Sequence, residues 1–275
     1  MGLSINQWTI KPTPMAEAVA AVKSNGLDAI GLWRQNVAEY GLAETAALVR
    51  REGLRVSTLC RGGFLTAADP DARAQALRDN EDAIREAVTL GTQTVVLVVG
   101  GLLDGEKDIV ATRRRVTENI ATIAPFAEAE GVKLAIEPLH PMFAADRAVV
   151  STLDQALDIA EEIGSPNVGA VVDTYHVWWD PNLASAIDRA GRLGKLFSYQ
   201  VCDWNLPLAS EPLHSRGYMG DGYIDFPAIT RLVVATGYDD DIESEIFNEA
   251  IWAEPPARAV ATVKARYDEL VAPHL

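Results

Sequence analysis

The chain has 275 residues, 48% of them hydrophobic, which is enough for two modest domains or for one large α/β barrel. Its 24 lysines and arginines against 39 aspartates and glutamates give a net charge of −15, so the surface should repel nucleic acid and anionic membranes. The sequence has two cysteines without metal-type spacing, no signal-peptide pattern and no apolar run of bilayer length. These features predict a soluble cytoplasmic protein.

Eight segments have the apolar pattern of β-strands, and helical patterns alternate with them. The predicted strands are 3–10, 27–33, 54–60, 93–99, 132–137, 168–173, 195–202 and 241–247. The predicted helices are 14–25, 42–52, 70–90, 108–130, 152–164, 183–190, 226–236 and 257–271. Glycines such as Gly26, Gly91 and Gly131 mark helix ends, and Asp69-Pro70 marks a helix start.

This alternation runs through the chain without a linker or a shift in composition. It predicts an α/β fold, a single closed (β/α)8 TIM barrel that spans residues 1–275 as one domain. The alternative is an open doubly wound sheet, which would need a glycine-rich phosphate turn after the first strand. The segment 7–12 is not such a turn, so the barrel is favoured.

Polar side chains lie at the ends of four consecutive predicted strands. Glu137, Asp173 and Gln200 come at or near the ends of strands five to seven, and Glu243 and Glu245 lie in strand eight. In such barrels the chemistry sits at the carboxyl ends of the strands, so these side chains should meet at one rim. Each acid alone is typical of a solvated turn or a helix cap. Together they would repel one another, which indicates a divalent cation with oxygen ligands such as Mg²⁺ or Mn²⁺.

Loop residues above the same rim are candidates for substrate contact. His176 follows Asp173 by three residues, and His140, Arg147 and Arg216 lie in neighbouring loops. They either bind substrate oxygens or pair with the acidic surface. Four loop tryptophans either wall a pocket or pack structurally: Trp8, Trp178, Trp179 and Trp204. The connection 203–224 is long for a structureless loop, which favours a lid or a binding loop. Neither cysteine has a histidine at an informative spacing, so a thiol nucleophile is not expected.

Four motifs carry a resemblance to a known family. The chain resembles the xylose-isomerase-like TIM-barrel sugar isomerases and epimerases over nearly its whole length. The motifs are Ile136-Glu137-Pro138, Val172-Asp173-Thr174-Tyr175-His176, Gly220-Asp221-Gly222-Tyr223-Ile224-Asp225 and Glu243-Ser244-Glu245-Ile246-Phe247. The resemblance implies one divalent metal ion held at four strand ends, by Glu137, Asp173, a strand-seven residue and Glu245. Glu243 is an alternate for the last of these ligands.

The same resemblance implies roles for the individual side chains. Glu137 and Glu245 would act as acid and base on opposite faces of the reacting carbon, through a metal-stabilised enediolate. His176 resembles the histidine that binds substrate in the family, and Arg216 is a looser match. Substrate contacts are also predicted for His140, Trp178 and Asp203.

The chain departs from the family pattern at strand seven. The family commonly has His-x-x-Asp there, whereas this chain has Gln200-Val201-Cys202-Asp203. A glutamine carbonyl is a neutral donor that suits hard cations, so Gln200 favours Mg²⁺ or Mn²⁺ over Zn²⁺. The substitution also leaves open a barrel that binds a metabolite without turning it over.

The leading hypothesis is a metal-dependent isomerase or epimerase of a sugar, a keto-polyol or a related hydroxy-carbonyl compound. A dehydratase of an inosose-like polyol uses the same enediolate and stays open as an alternative. No cluster of lysines and arginines is evident at the barrel mouth, which favours a non-phosphorylated substrate. Related DNA-repair endonucleases need a basic face and a histidine-rich metal cluster, which four histidines and a charge of −15 do not provide. The resemblance also implies a homo-oligomer.

Overall fold

A computed structural model describes residues 1–275, and its main feature is a closed barrel of eight parallel strands. The strands are β1 (Leu3–Asn6), β2 (Ala29–Trp33), β3 (Arg55–Gly63), β4 (Thr94–Val98), β5 (Lys133–Ile136), β6 (Val168–Asp173), β7 (Leu196–Val201) and β8 (Ile242–Ser244). Strand β1 pairs with both β2 and β8, which closes the sheet. The predicted TIM barrel is therefore confirmed, and the open-sheet alternative is wrong.

Helices surround the barrel and cover its apolar strands. They are α1 (Met15–Ser24), α2 (Arg34–Tyr40), α3 (Leu42–Arg51), α4 (Pro70–Leu90), α5 (Ile109–Ala129), α6 (Leu153–Ile163), α7 (Thr174–Val177), α8 (Leu183–Leu193), α9 (Phe226–Ala235), α10 (Glu249–Trp252) and α11 (Pro256–Leu270). Asp69 caps α4 by accepting hydrogen bonds from two backbone N–H groups, with Pro70 in the first turn. No helix combines the length and the apolar character needed to cross a lipid bilayer.

Two strands are much shorter than predicted, β1 and β8. The predicted strand 3–10 stops at Asn6, because the Asn6 side chain accepts a hydrogen bond from Trp8 N and starts the 3-10 helix Gln7–Ile10. Strand β8 contains only three residues, so Glu245 follows the strand instead of lying in it. The short helices α2, α7 and α10 have no counterpart among the predicted helices.

Strand register places three polar residues in one layer of the barrel. Asp173 is in register with Gln200, and Gln200 is in register with Glu243. Gly31 on β2 makes room for the last of these, because a Cβ atom there would lie 2.4 Å from a Glu243 carboxylate oxygen. The barrel interior is therefore polar at the carboxyl ends of β6, β7 and β8.

The long connection after β7 is ordered around Asp203. Residues Asp203–Trp204 form a two-residue antiparallel ladder with Arg216–Gly217, and Pro212–Ser215 forms a 3-10 turn. The buried Asp203 carboxylate accepts hydrogen bonds from five backbone N–H groups of this segment, at distances of 2.8 to 3.1 Å. This network holds the connection as a fixed loop over the barrel mouth.

Candidate active site

A cavity of about 420 Å³ opens at the carboxyl ends of the strands. Its polar lining includes Glu137 and Glu245 from the strand ends and His176 and Arg216 from the loops. Aromatic side chains form one wall: Trp8 stacks on Trp33 at 3.7 Å between ring centroids, and Phe247 lies 5.1 Å from Trp8. The cavity therefore combines an apolar wall with acid, base and donor groups, as small-molecule sites do.

Three buried carboxylates converge at the base of this cavity. Glu137 follows β5, Asp173 ends β6 and Glu245 follows β8, and none is more than 5% exposed. Burial, then the negative charges of Glu245 and Asp173, raise the pKa of Glu137 well above its ordinary value. Burial also raises the pKa of Glu245, to about 7, even though Arg216 opposes the shift. Burial thus favours the protonated form of both glutamates, and Glu245 can exchange a proton near neutral pH.

Arg216 supplies positive charge to two of these carboxylates. Its Nη1 atom lies 2.7 Å from Oε2 of Glu245 and 3.1 Å from Oδ2 of Asp173, and the side chain is 1% exposed. The antiparallel ladder Arg216–Gly217 and the Asn248 amide, which donates to the Arg216 carbonyl, hold the backbone that carries it. The sequence match that linked Arg216 to the site is therefore supported by its position.

His176 lies between two N–H donors. The N–H of His140 lies 3.1 Å from Nδ1 of His176 and Nη2 of Arg216 lies 2.9 Å from Nε2, and a neutral imidazole can accept from only one of them. The Nε2 atom also lies 3.9 Å from Oε1 of Glu137 and 4.0 Å from Oδ2 of Asp173. Burial and the charge of Arg216 lower the pKa of His176 well below its usual value, so the ring is neutral.

Gln200 and Glu243 form a buried layer beneath the carboxylates. Nε2 of Gln200 donates to Oε1 of Glu243 at 3.1 Å, and this contact identifies which end of the amide is nitrogen. The Gln200 oxygen is buried without a donor. Glu243 also accepts hydrogen bonds from Asn6, Ser57 and Thr58, so both of its oxygens are already used. Glu243 therefore supports the site through these hydrogen bonds. Its carboxylate also lies within 4.8 Å of ligand atoms of Cys60 and Glu245, so its role as an alternate metal ligand stays a prediction.

The remaining predicted substrate contacts lie away from the cavity. The Asp203 carboxylate accepts hydrogen bonds from backbone N–H groups of its own loop, and these take all of its acceptor capacity. The predicted contact between Asp203 and substrate is therefore corrected: the side chain orders the loop instead. Trp178 packs 5.8 Å from the Trp204 ring and does not line the cavity. The His140 ring also packs beside Trp204, and its backbone acts on His176 instead.

Several cavity residues were not singled out by the sequence. They are Lys11, Arg61, Trp33, Phe64, Leu213 and Phe247, together with Cys60, which was considered only as a nucleophile. Arg61 follows directly on the predicted strand 54–60. It could have been found in the sequence as a polar residue at the carboxyl end of a barrel strand. Burial and Glu245 raise the pKa of the Cys60 thiol well above its usual value, which agrees with the expectation that it is not a nucleophile.

The profile of the xylose isomerase-like TIM barrel family matches residues 19–267. The chain belongs to this family. An inosose isomerase of Bacillus velezensis is 25% identical to this chain over 238 residues, which cover 85% of this chain and 81% of the relative. An L-ribulose 3-epimerase of Mesorhizobium japonicum is 26% identical over 253 residues, covering 90% of this chain and 80% of the relative.

A solved structure is more similar to this chain than these two relatives are. A protein of Sinorhizobium meliloti 1021 is 48% identical to this chain, with a TM-score of 0.95 over 98% of both chains. The xylose isomerase-like barrel described here is therefore shared with that protein along its full length.

Proposed function

We propose that this member of the xylose isomerase-like family is a metal-dependent isomerase or epimerase of a sugar, a keto-polyol or a related hydroxy-carbonyl compound. The observation that carries the proposal is the pair Glu137 and Glu245. Both line one cavity of small-molecule size, and burial raises the pKa of each. The similarity to an inosose isomerase and to an L-ribulose 3-epimerase supports this reaction class.

Two carboxyl groups of this kind suit the movement of a proton next to a carbonyl. One group, ionised, removes the proton from the carbon, and the other, protonated, returns a proton to it. When their pKa values lie near the working pH, both protonation states are populated, which a surface carboxylate does not achieve. Return at the opposite face gives an epimer, and return at the neighbouring carbon gives an isomer.

The donor set fits a divalent cation. Two buried oxygens of the site have no hydrogen-bond donor, Glu137 Oε1 and Gln200 Oε1. The only cation beside Asp173 Oδ2 is Arg216, at 3.1 Å. Ligand atoms of Glu137, Asp173 and His176 also lie within 4.8 Å of one another. Unpaired buried acceptors are costly, so a cation held by Glu137, Asp173, Gln200 and Glu245 accounts for them. This all-oxygen set favours Mg²⁺ or Mn²⁺ over Zn²⁺.

The chain's own residues bind and orient the substrate. A bound cation would stabilise the negative charge that develops on the carbonyl oxygen. The neutral ring of His176 lies in the substrate cavity, held by its contacts with the His140 N–H and with Arg216. Arg216 contributes a permanently charged donor, and the Trp8–Trp33 stack offers a flat apolar surface to the sugar carbons.

Solvent exchange tests this proposal. Purified protein is incubated with Mn²⁺ in D₂O with a panel of ketoses and inososes, and carbon-bound deuterium is followed by NMR. We expect incorporation that requires the metal and accompanies conversion to an epimer or isomer. Absence of exchange across the panel in metal-loaded protein would contradict the proposal, and release of water with a dehydrated product would assign the lyase reaction instead.

A further inference from the structure

The cavity contains more positive charge than its carboxylates pair with. Four basic side chains line it, namely Lys11, Arg61, Arg147 and Arg216. Arg216 pairs with Glu245 at 2.7 Å, and Arg147 pairs with Glu211 at 3.3 Å. The sequence expectation that no basic cluster faces the barrel mouth is therefore wrong, because these side chains come from separate βα loops and strand ends.

Two members of this group, Lys11 and Arg61, make no ion pair. The Lys11 ammonium lies over the rings of Trp8 and Trp252. The Arg61 guanidinium lies 4.0 Å from the ring centroid of Phe64 and makes no hydrogen bond. The Arg61 side chain is only partly exposed and faces the cavity. Burial, opposed by Cys60 and reinforced by the charge of Arg147, lowers the pKa of Arg61 from its ordinary value. The five N–H donors of Arg61 are therefore available to an anionic ligand.

Arg147 presents further unused donor capacity to the same cavity. Its Nη2 reaches Glu211 at 3.3 Å, and its buried Nε lies 3.5 Å from Asp146 Oδ2 without making a hydrogen bond. The charges of Arg61 and Arg147 act on one another. Like charges repel, so an anion between them would relieve the repulsion and satisfy the free N–H groups.

The backbone beside Arg61 is rigid, so the guanidinium is preorganised. The buried Asn80 side chain accepts from Gly63 N at 2.6 Å and donates to Gly63 O at 2.9 Å. Gly63 has φ of 108°, and a Cβ atom there would lie 1.9 Å from the Val98 carbonyl oxygen, so only glycine fits. The end of β3, which carries Arg61, is thus fixed by packing before any ligand binds.

We infer that Arg61 and Arg147 form an anion subsite, and that the substrate carries a carboxylate or a phosphate on a part of the molecule on which Glu137 and Glu245 do not act. The inference rests on the proposed function and names its substrate class: acidic or phosphorylated hydroxy-carbonyl compounds. A guanidinium fork matches both anions with paired N–H donors. Neutral sugars leave these donors empty.

Three unreactive polyols with the same carbon chain test the subsite by calorimetric titration: D-sorbitol, D-gluconate and D-sorbitol 6-phosphate. We expect the wild type to bind at least one anion about tenfold or more tightly than sorbitol. Arg61→Met and Arg147→Met should each reduce this preference by about tenfold and leave sorbitol binding unchanged. Arg192→Met, which removes an exposed arginine of α8, is the matched control. The anion that binds more tightly, gluconate or sorbitol 6-phosphate, shows whether the subsite takes a carboxylate or a phosphate.

The outcomes separate the subsite from the proposed reaction. Equal binding of all three polyols, or an anion preference that survives both cavity variants, overturns the subsite. Because the three polyols have no ketone or aldehyde group, this result does not depend on turnover. Solvent deuterium exchange with neutral ketoses alone, unaffected by Arg61→Met, would sustain the proposed function and overturn the subsite. Selective anion binding without solvent exchange in any carbonyl compound would sustain the subsite and overturn the proposed function.

Discussion

The guanidinium of Arg216 lies against the carboxylate of Glu245, with 2.7 Å between Nη1 and Oε2. The same nitrogen lies 3.1 Å from Asp173, and both partners are proposed ligands of the cation. Arginine and cation therefore neutralise the same buried charge. In the absence of the cation, Arg216 keeps these carboxylates from facing one another unpaired.

Replacing Arg216 should make the protein depend on metal for stability. Arg216→Met removes one partner of a buried ion pair, which costs about 3–5 kcal/mol. We expect a lower unfolding temperature without metal, and a larger stabilisation by Mn²⁺ than in the wild type, because the cation then replaces the lost charge. Thermal unfolding with and without Mn²⁺ measures both. Equal Mn²⁺ stabilisation of the two proteins would show that Arg216 and the cation act on different carboxylates.

Restoring histidine at strand seven should change the metal preference. Gln200→His introduces an imidazole, which suits Zn²⁺ better than an amide oxygen does, and Glu243 is in place to accept the second ring N–H. We expect Zn²⁺ affinity to rise by about tenfold or more, with a smaller change for Mg²⁺. Competition with a chromophoric chelator measures this. Gln200→Leu is the control and should weaken both metals; unchanged metal affinity in both variants would remove Gln200 from the ligand set.

Glu243 should control metal binding without touching the metal. It receives hydrogen bonds from Asn6, Ser57, Thr58 and Gln200, and the last of these directs the Gln200 oxygen away from it. Glu243→Gln replaces an acceptor oxygen by an NH₂ group, which then faces the donors that surround Glu243. We therefore expect the Gln200 amide to reorient and Mn²⁺ affinity to fall about tenfold. Calorimetric titration with Mn²⁺ gives the affinity. Thr58→Val, which removes one donor only, should have a clearly smaller effect, and equal losses would assign the effect to general destabilisation.

Asp203 should matter for loop order more than for substrate affinity. Asp203→Asn replaces one charged acceptor oxygen by an NH₂ group that faces backbone N–H groups, so hydrogen bonds of about 1.5–3 kcal/mol each are lost. We expect faster amide hydrogen exchange through residues 204–224. Asp221→Asn, which breaks only a surface pair with Arg266, is the control. Undiminished exchange protection in Asp203→Asn, combined with weaker substrate binding, would restore its predicted contact with substrate.

The sequence predicted the site best where a strand end determines position. Glu137 directly follows β5, Asp173 ends β6 and Gln200 is the penultimate residue of β7, so their convergence follows from the topology of one closed sheet. Glu245 was also predicted, although the chain leaves the ladder at Ser244. The eight strands and the flanking helices follow from periodicity and capping, because those signals are local.

Loop residues were predicted less well, because their positions depend on contacts distant in sequence. Asp203 has the residue type of a ligand, and only the folded loop shows its carboxylate enclosed by backbone N–H groups. Trp178 and His140 look equally available for substrate in the sequence, yet they pack around Trp204. Arg61 is isolated in the sequence and becomes part of a basic group only when the barrel closes.

The most direct test of the central claim is deuterium incorporation at the substrate carbon, measured by NMR in D₂O with Mn²⁺ for Glu137→Gln and Glu245→Gln. Both variants keep the side-chain shape but remove a proton-transfer group. We predict that each variant loses net epimerisation or isomerisation by about 10²-fold or more, since each removes one of two required proton carriers. Wild-type rates of incorporation and conversion in both variants would contradict the account.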